Sequence, residues 1–123
     1  PYSYNALFNY IINGKEGDDY IYGSNGNDIL SGKEGADTLI GGSGDDSFNY
    51  SSLEDSSINA TDIIEDFEQG SDKINVSGIA ENLSFDSFEF VVENGHTIIK
   101  DQNSDFAINL LGQFNMVEND FNF

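Results

Sequence analysis

Glycine and aspartate recur together every nine residues between Gly14 and Asn49. Four tandem copies follow one another without a gap: GKEGDDYIY, GSNGNDILS, GKEGADTLI and GGSGDDSFN. Each copy has Gly at positions 1 and 4, Asp at position 6 and a large apolar residue at position 8. A flexible Gly/Asp linker would not place an apolar side chain at every ninth position. The pattern therefore predicts stacked turns whose oxygens bind a divalent cation.

The position-6 carboxylates are the main predicted metal ligands: Asp19, Asp28, Asp37 and Asp46. Two nonapeptides form one coil of about 18 residues, so repeats n and n+2 lie above one another. This stacking pairs Asp19 with Asp37 on one edge of the coil and Asp28 with Asp46 on the other. The position-8 residues point inward between the coils: Ile21, Leu30, Leu39 and Phe48.

Calcium fits the spacing of the paired carboxylates. Stacked strands lie about 4.7–4.9 Å apart, where two carboxylates repel by about 0.9 kcal/mol in water and about 3.5 kcal/mol at a dielectric near 20. Calcium binds oxygen at about 2.3–2.6 Å, so opposite ligands of one ion span a similar distance. Several Ca²⁺ ions are expected, with turn carbonyls completing each shell. Magnesium prefers a tighter, water-rich octahedron, and zinc prefers nitrogen or thiolate ligands.

Composition favours a cation as the partner. The 123 residues include 23 acidic side chains against four lysines and no arginine, which gives a net charge of −19. Nucleic acid and anionic membranes require basic patches and are therefore not expected as partners. Cysteine is absent, and the sequence shows neither a signal peptide nor an apolar run of about 18 residues.

The residues around the repeats predict strands rather than helices. Apolar and polar residues alternate in the second half of the chain, with candidate strands at Phe88–Val92, Thr97–Lys100, Phe106–Leu111 and Phe121–Phe123. The predicted fold class is all-β: a short parallel β-roll continuing into a β-sandwich-like C-terminal cap. One module is expected, with an N-terminal cap strand in residues 1–13, the repeats in 14–49 and the C-terminal cap in 50–123.

The repeats resemble the RTX (repeats-in-toxin) family of secreted bacterial proteins. The segment from Asp62 to Ser77 is similar to the C-terminal domain of serralysin-type metalloproteases. The ending from Phe106 through Asp120-Phe-Asn-Phe is similar to the same domains and to the R-modules of mannuronan C5-epimerases. The resemblance implies type I export and an extracellular location. It also implies that Asp55 and Asp62 are ligands of the end sites, while Asp66 and Asp72 are interpreted as turn or capping residues. Finally, it implies carbonyl ligands at the turn glycines: Gly14, Gly17, Gly23, Gly26, Gly32, Gly35, Gly41 and Gly44.

No motif in the chain indicates catalysis. The segment from Gly26 to Lys33 has five residues between its glycines where a phosphate loop has four, and the HExxH motif of a zinc protease is absent. His96 follows the turn dipeptide Asn94-Gly95 and is interpreted as an exposed turn residue.

The sequence thus predicts a non-catalytic module that folds on binding calcium after export through a type I secretion apparatus and supports an attached upstream domain. Two alternatives stay open. One is a calcium-dependent carbohydrate-binding or adhesive module that contacts a polysaccharide, and the other is the C-terminal part of a serralysin-type protease.

Overall fold

In the computed structural model, residues 8–79 and 82–123 are described. They form eleven strands and two single-turn 3₁₀ helices, the latter at Phe85–Ser87 and Glu118–Asp120. The strands are β1 (Ile11–Asn13), β2 (Tyr20–Tyr22), β3 (Ile29–Ser31), β4 (Thr38–Ile40), β5 (Ser47–Asn49), β6 (Asp62–Ile64), β7 (Lys73–Asn75), β8 (Phe88–Glu93), β9 (His96–Asp101), β10 (Ala107–Leu111) and β11 (Phe121–Asn122). The predicted all-β class is confirmed. Residues 1–7 of the predicted N-terminal cap lie outside the described residues.

The strands form two sheets, and the chain alternates between them from β1 to β8. One sheet has the order β1-β3-β5-β7-β11 and is parallel throughout, and the other has the order β2-β4-β6-β10-β9-β8. Within the repeats each strand pairs with the strand 18 residues later, so Ile21 lies beside Leu39 and Leu30 beside Phe48. The predicted coil of two nonapeptides is confirmed by this register.

The predicted continuation into the cap takes a specific form, because the cap strands extend the same two sheets as the repeats. Strand β6 pairs in parallel with β4, and β10 pairs in parallel with β6. Strand β9 then runs antiparallel to both β10 and β8, between which it lies. The turn between β8 and β9 contains the predicted Asn94-Gly95 pair, both at positive φ (52° and 80°), but His96 is half-buried rather than exposed.

One apolar core runs between the two sheets from the repeats into the cap. The four position-8 residues are buried and join a single cluster with cap side chains such as Ile64, Ile99 and Phe106. A three-residue strand is too short to be stable alone, so each coil depends on its neighbours for backbone pairing and apolar contact. The turns between the strands are consequently held at fixed positions along the two edges of the roll.

Within the described residues, no helix has the length and hydrophobicity needed to cross a membrane.

Candidate metal centre

The turns stack along two edges of the roll. On the first edge lie the turns of residues 14–19 and 32–37, followed by the loop of residues 50–61 that leads into β6. On the second edge lie the turns of residues 23–28 and 41–46, followed by the loop of residues 65–72 that leads into β7. Each of these segments ends with an aspartate at or next to the start of a strand, which places the aspartates in two columns.

A ladder of amide-to-carboxylate hydrogen bonds links the aspartates of each column. On the first edge, the Asp19 N–H donates to Asp37 Oδ1 at 2.8 Å, and the Asp37 N–H donates to Asp62 Oδ1 at 2.9 Å. On the second edge, the Asp28 N–H donates to Asp46 Oδ1, and the Asp46 N–H donates to Asp72 Oδ1, both at 2.9 Å. The structure therefore brings together the two predicted pairs and adds one aspartate to the end of each column.

The second oxygen of most ladder carboxylates is buried without a hydrogen-bond partner among the described residues. We call these atoms the free carboxylate oxygens; they are the Oδ2 atoms of Asp19, Asp28, Asp37, Asp46 and Asp62. Buried polar groups are normally hydrogen-bonded, and a buried unpaired charge is costly. Repeated buried anionic oxygens of this kind fit a cation as their missing partner.

Glycine at positions 1 and 4 leaves room for these oxygens and for the backbone carbonyls. A Cβ on Gly14 or Gly23 would lie 2.6 Å from the free carboxylate oxygen of its own repeat. A Cβ on Gly35 would overlap the Gly17 carbonyl oxygen of the turn stacked beside it, and Gly44 stands in the same relation to Gly26. Both position-4 glycines also have φ near +100°, which favours glycine over other residues.

The donor set fits a hard cation. Within the described part of the chain, no three His, Cys, Asp or Glu side chains converge on one point. Each candidate site consequently combines one or two carboxylates with turn carbonyls, an all-oxygen set that suits calcium rather than zinc. Ladder Asp carboxylates and the carbonyls of the repeat glycines would hold the ions.

Burial makes four of the six ladder carboxylates hard to ionise when no cation is bound. It is the largest cause that raises the pKa of Asp37 and Asp72 to about 6, of Asp46 to about 7 and of Asp62 to about 8. Neighbouring carboxylates raise these pKa values further, while the ladder N–H groups lower them. The ladder N–H groups thus only partly offset the cost of the stacked charges.

The two predicted end-site residues occupy different places. Asp62 is fully buried and continues the first column. The 18-residue step would stack Asp55 on Asp37, but Asp62 takes that place, and Asp55 Oδ2 instead accepts the N–H groups of Ser51 and Ser52 within its own loop. Asp55 is buried near Asp62 and adds to the pKa rise of that carboxyl.

Asp72 and Asp66 were interpreted from sequence as turn or capping residues, and the structure places both against the second edge. Asp72 lies on Asp46, while the two oxygens of Asp66 accept the N–H groups of Gly41 and Gly42 at 2.8 Å. A signal for Asp72 was present, because Asp72-Lys-Ile74 repeats the Asp-x-apolar spacing of positions 6 to 8.

A second, more exposed ladder runs along position 5 and was not predicted. The Asn27 N–H donates to Asn9 Oδ1, and the Asp45 N–H donates to Asn27 Oδ1. On the first edge the Ala36 N–H donates to Asp18 Oδ1. These bonds satisfy the turn amides that face away from the strands, so the turns are ordered on their outer side by neutral or singly charged acceptors.

The architecture defines a class of protein: a parallel β-roll with oxygen-lined turns stacked on both edges. A family model described as Peptidase M10 serralysin C terminal matches residues 9–122, and the chain belongs to this family. The match concerns the domain that follows the peptidase, and the predicted RTX resemblance is confirmed. No curated protein matches the chain.

Two solved structures of subunits from a mannuronan C5-epimerase of Azotobacter vinelandii are similar to the chain. The AlgE6R3 subunit is 27% identical with a TM-score of 0.68, over 92% of this chain and 77% of the subunit. The AlgE6R2 subunit is 24% identical with a TM-score of 0.70, over 98% of this chain and 94% of the subunit. At these identities the second likeness supports the fold alone.

Proposed function

We propose that the chain is a non-catalytic calcium-binding module that folds when calcium fills the two edges of the roll. The observation that carries this proposal is the set of free carboxylate oxygens, stacked in two columns and buried against turn carbonyls. Calcium supplies the positive charge that the chain itself lacks, because four lysines face 23 acidic residues. Binding only the folded state then converts binding free energy into folding free energy.

The expected stabilisation is large on the scale of a small domain. At a calcium concentration 100-fold above the dissociation constant, each independent site contributes about 2.7 kcal/mol. Four ladder steps join aspartates, Asp19–Asp37 and Asp37–Asp62 on the first edge and Asp28–Asp46 and Asp46–Asp72 on the second. Even partial occupancy of these steps matches the 5–15 kcal/mol by which domains are usually stable.

Export follows from the same physics. Where calcium is scarce, the stacked carboxylates oppose folding and leave the chain loose enough to pass through a type I secretion apparatus. Outside the cell, calcium folds the module, which then supports an attached upstream domain. Membership of the serralysin C-terminal family supports this extracellular role.

Far-ultraviolet circular dichroism tests the proposal. In excess EGTA the chain should lose most of its β signal and keep at most that of the cap strands, and calcium should restore the rest cooperatively. An EGTA-treated chain with the full β spectrum would count against calcium-driven folding.

A matched pair of variants assigns the effect to the ladder. Asp46→Asn keeps an acceptor for the Asp28 N–H but removes one ladder charge, whereas Asp105→Asn removes one exposed charge elsewhere. Only Asp46→Asn should raise the calcium concentration at the folding midpoint, by roughly the 10–100-fold seen when a metal site is damaged. Equal calcium midpoints of folding for the two variants would show that the ladder carboxylates do not cause the calcium dependence.

A polysaccharide-binding role is the second candidate, favoured by a groove on the outer face of the β1-containing sheet. The groove has a volume of about 270 Å³ and is lined by hydroxyls and amides of Ser31, Asn49, Asn75 and Ser77. Lys33 also lines it and donates to Ser51 Oγ at 2.8 Å. The AlgE6R3 subunit comes from an enzyme named for mannuronan, which supports sugar chemistry at such a surface.

Calorimetry with neutral and uronic-acid oligosaccharides, with and without calcium, tests the second role. Asn49→Ala should weaken binding while leaving the calcium midpoint of folding unchanged. Absence of a binding heat when either class of sugar is added to the calcium-loaded chain would exclude the polysaccharide-binding role.

A further inference from the structure

The outer faces of the two sheets differ in polarity. Successive residues of a strand point to opposite faces of its sheet, and the buried residues mark the inner face. On the β1-containing sheet the outward residues are mostly serine and asparagine, as at Ser31, Asn49 and Asn75. On the β2-containing sheet one row of outward residues crosses all six strands: Tyr20, Thr38, Ile63, Asn109, Ile98 and Val91. We call the outer face around this central row the apolar face.

The apolar face is unusual for so acidic a chain. Acidic residues number 23 of 123, yet the central row contains none. Tyr22 and Ile40 continue the face beside the row, and Tyr20 and Tyr22 are 69% and 58% exposed. With strands about 4.8 Å apart and outward residues about 6.7 Å apart, the face covers roughly 500 Å². An exposed apolar patch of this size often marks an interaction surface.

Two buried polar atoms at this face lack a hydrogen-bond partner among the described residues: Asn109 Oδ1 and His96 Nδ1. Asn109 and Ile98 line two shallow hollows of about 260 Å³ and 230 Å³. Buried polar atoms normally have partners. Because rotation about the terminal bond of an asparagine side chain is broad, Asn109 can turn both polar atoms of its carboxamide toward a group docked over the hollows. The middle of the apolar face thus offers one donor and one acceptor.

We propose that the apolar face binds the same face of a second copy of the chain, about a twofold axis that runs along the central row. Each residue of the row then faces its own counterpart. Two asparagine carboxamides placed in this way complement each other, because the Oδ1 of each accepts from the Nδ2 of the other. A single buried asparagine sets the register of apolar interfaces in coiled coils, and Asn109 has the same role here. This inference goes beyond calcium binding, since no ladder aspartate lies on the apolar face.

The charges that border the apolar face fit this arrangement. Lys100 lies on one side of the central row, and Glu93 lies on the other. The twofold axis reverses the strand direction, so Lys100 of one copy lies at the end where the second copy has Glu93. Glu89 also borders the face, but it is exposed on the edge strand β8 and can turn to solvent.

The area of the apolar face sets the expected strength of the dimer. Two faces of roughly 500 Å² bury about 1,000 Å² in total, which is at the lower limit of specific interfaces. The two copies also carry the same net charge of −19, which opposes their association. We therefore expect a weak dimer with a dissociation constant in the micromolar range.

Sedimentation equilibrium of the calcium-loaded chain between about 1 and about 300 μM tests the dimer. The parent chain should change from monomer to dimer within this range. Asn109→Asp places two carboxylates against each other at the axis and should raise the dissociation constant at least about tenfold. Asn49→Asp is the matched control, because it makes the same change on the polar outer face of the other sheet, and it should leave the dissociation constant unchanged.

Ile98→Lys provides a second variant of the apolar face and should also weaken the dimer. Its control is Ile11→Lys, since Ile11 is 82% exposed on the other sheet. Circular dichroism at saturating calcium shows whether each variant folds, and if Asn109→Asp does not fold, the comparison of Ile98→Lys with Ile11→Lys decides.

Two results overturn the dimer and leave the proposed function intact. One is a parent chain that folds with calcium but stays monomeric over the whole concentration range. The other is a dimer whose dissociation constant is the same in the parent chain and in the folded variants of the apolar face. A chain that folds fully without calcium would refute the proposed function alone, because the same sedimentation series then tests the dimer without the ion.

Discussion

The repeat half and the cap half of the molecule share one core but are stabilised in different ways. In the repeats, three-residue strands alternate with turns that bury carboxylates without a cationic partner in the described residues. In the cap, β8 and β9 are six residues long and pair through a tight antiparallel turn. Aromatic side chains of the cap also pack against one another, as Phe88 of β8 and Phe121 of β11 do with 5.5 Å between ring centroids. Under the proposed function, ions stabilise the repeats, whereas apolar burial and long strands stabilise the cap.

Removing calcium should unfold the repeats more than the cap. Hydrogen exchange in excess EGTA should show rapid exchange of the amides of β2 to β5, while those of β9 and β10 remain partly protected. The physical reason is that the repulsion of stacked carboxylates acts on the turns of the repeats and not on the β8–β9 hairpin. Uniform loss of protection in both halves would show that the cap has no stability of its own.

A core substitution in the cap should have the next largest effect. Ile99 is 0% exposed, so Ile99→Ala should cost about 2–5 kcal/mol. In EGTA it should abolish the residual unfolding transition of the cap, measured by urea denaturation. Asp46→Asn should leave that calcium-free transition unchanged and destabilise only the calcium-loaded chain. The contrast between the halves would be wrong if both variants altered the calcium-free transition equally.

Acidification should stabilise the calcium-free repeats and weaken the binding of calcium to them. The folded-state pKa values of the four perturbed ladder carboxyls lie between about 6 and about 8, above the ordinary value of 3.8. Between these values the calcium-free fold therefore keeps protons that the unfolded chain releases. The stabilisation from these groups is complete below pH 3.8 and is lost as the pH rises through 6 to 8. Calcium must displace the same protons.

Titrations at pH 8 and pH 5.5 measure both effects. The calcium midpoint should rise on acidification, by up to about tenfold per pH unit for each proton displaced. The β signal in EGTA should increase over the same interval. A calcium midpoint that is independent of pH would mean that the ladder carboxyls are not the ligands.

The regular part of the site could be predicted from sequence, and the irregular part could not. The nine-residue period fixes the strands, the inward residues and the pairing of Asp19 with Asp37, because each step along the column is 18 residues. Extending that period would stack Asp55 on Asp37, a place that Asp62 occupies in the structure. The loops of the cap change the step to 25 residues for Asp62 and 26 for Asp72.

The burial of Tyr50 could not be predicted from the sequence, for a different reason. Nothing in the local sequence distinguishes this tyrosine from the exposed Tyr20 or Tyr22. It is buried against Phe106, which comes from a distant part of the chain. Such tertiary placement has no periodic signal, so only the folded structure shows it.

The smallest expected effect concerns backbone strain in the turns of the repeats. Position 2 has positive φ in all four repeats, at Lys15, Ser24, Lys33 and Gly42, although only the last is glycine. Ser24→Gly should relieve the left-handed conformation (φ 81°) and stabilise the calcium-loaded chain by at most about 1 kcal/mol, since glycine also loses more entropy on folding. Ser24→Ala removes the same hydroxyl but keeps the Cβ, so it should give no gain. Thermal unfolding at saturating calcium compares the two variants, and an equal midpoint for both would show that strain at position 2 does not limit the stability of the repeats.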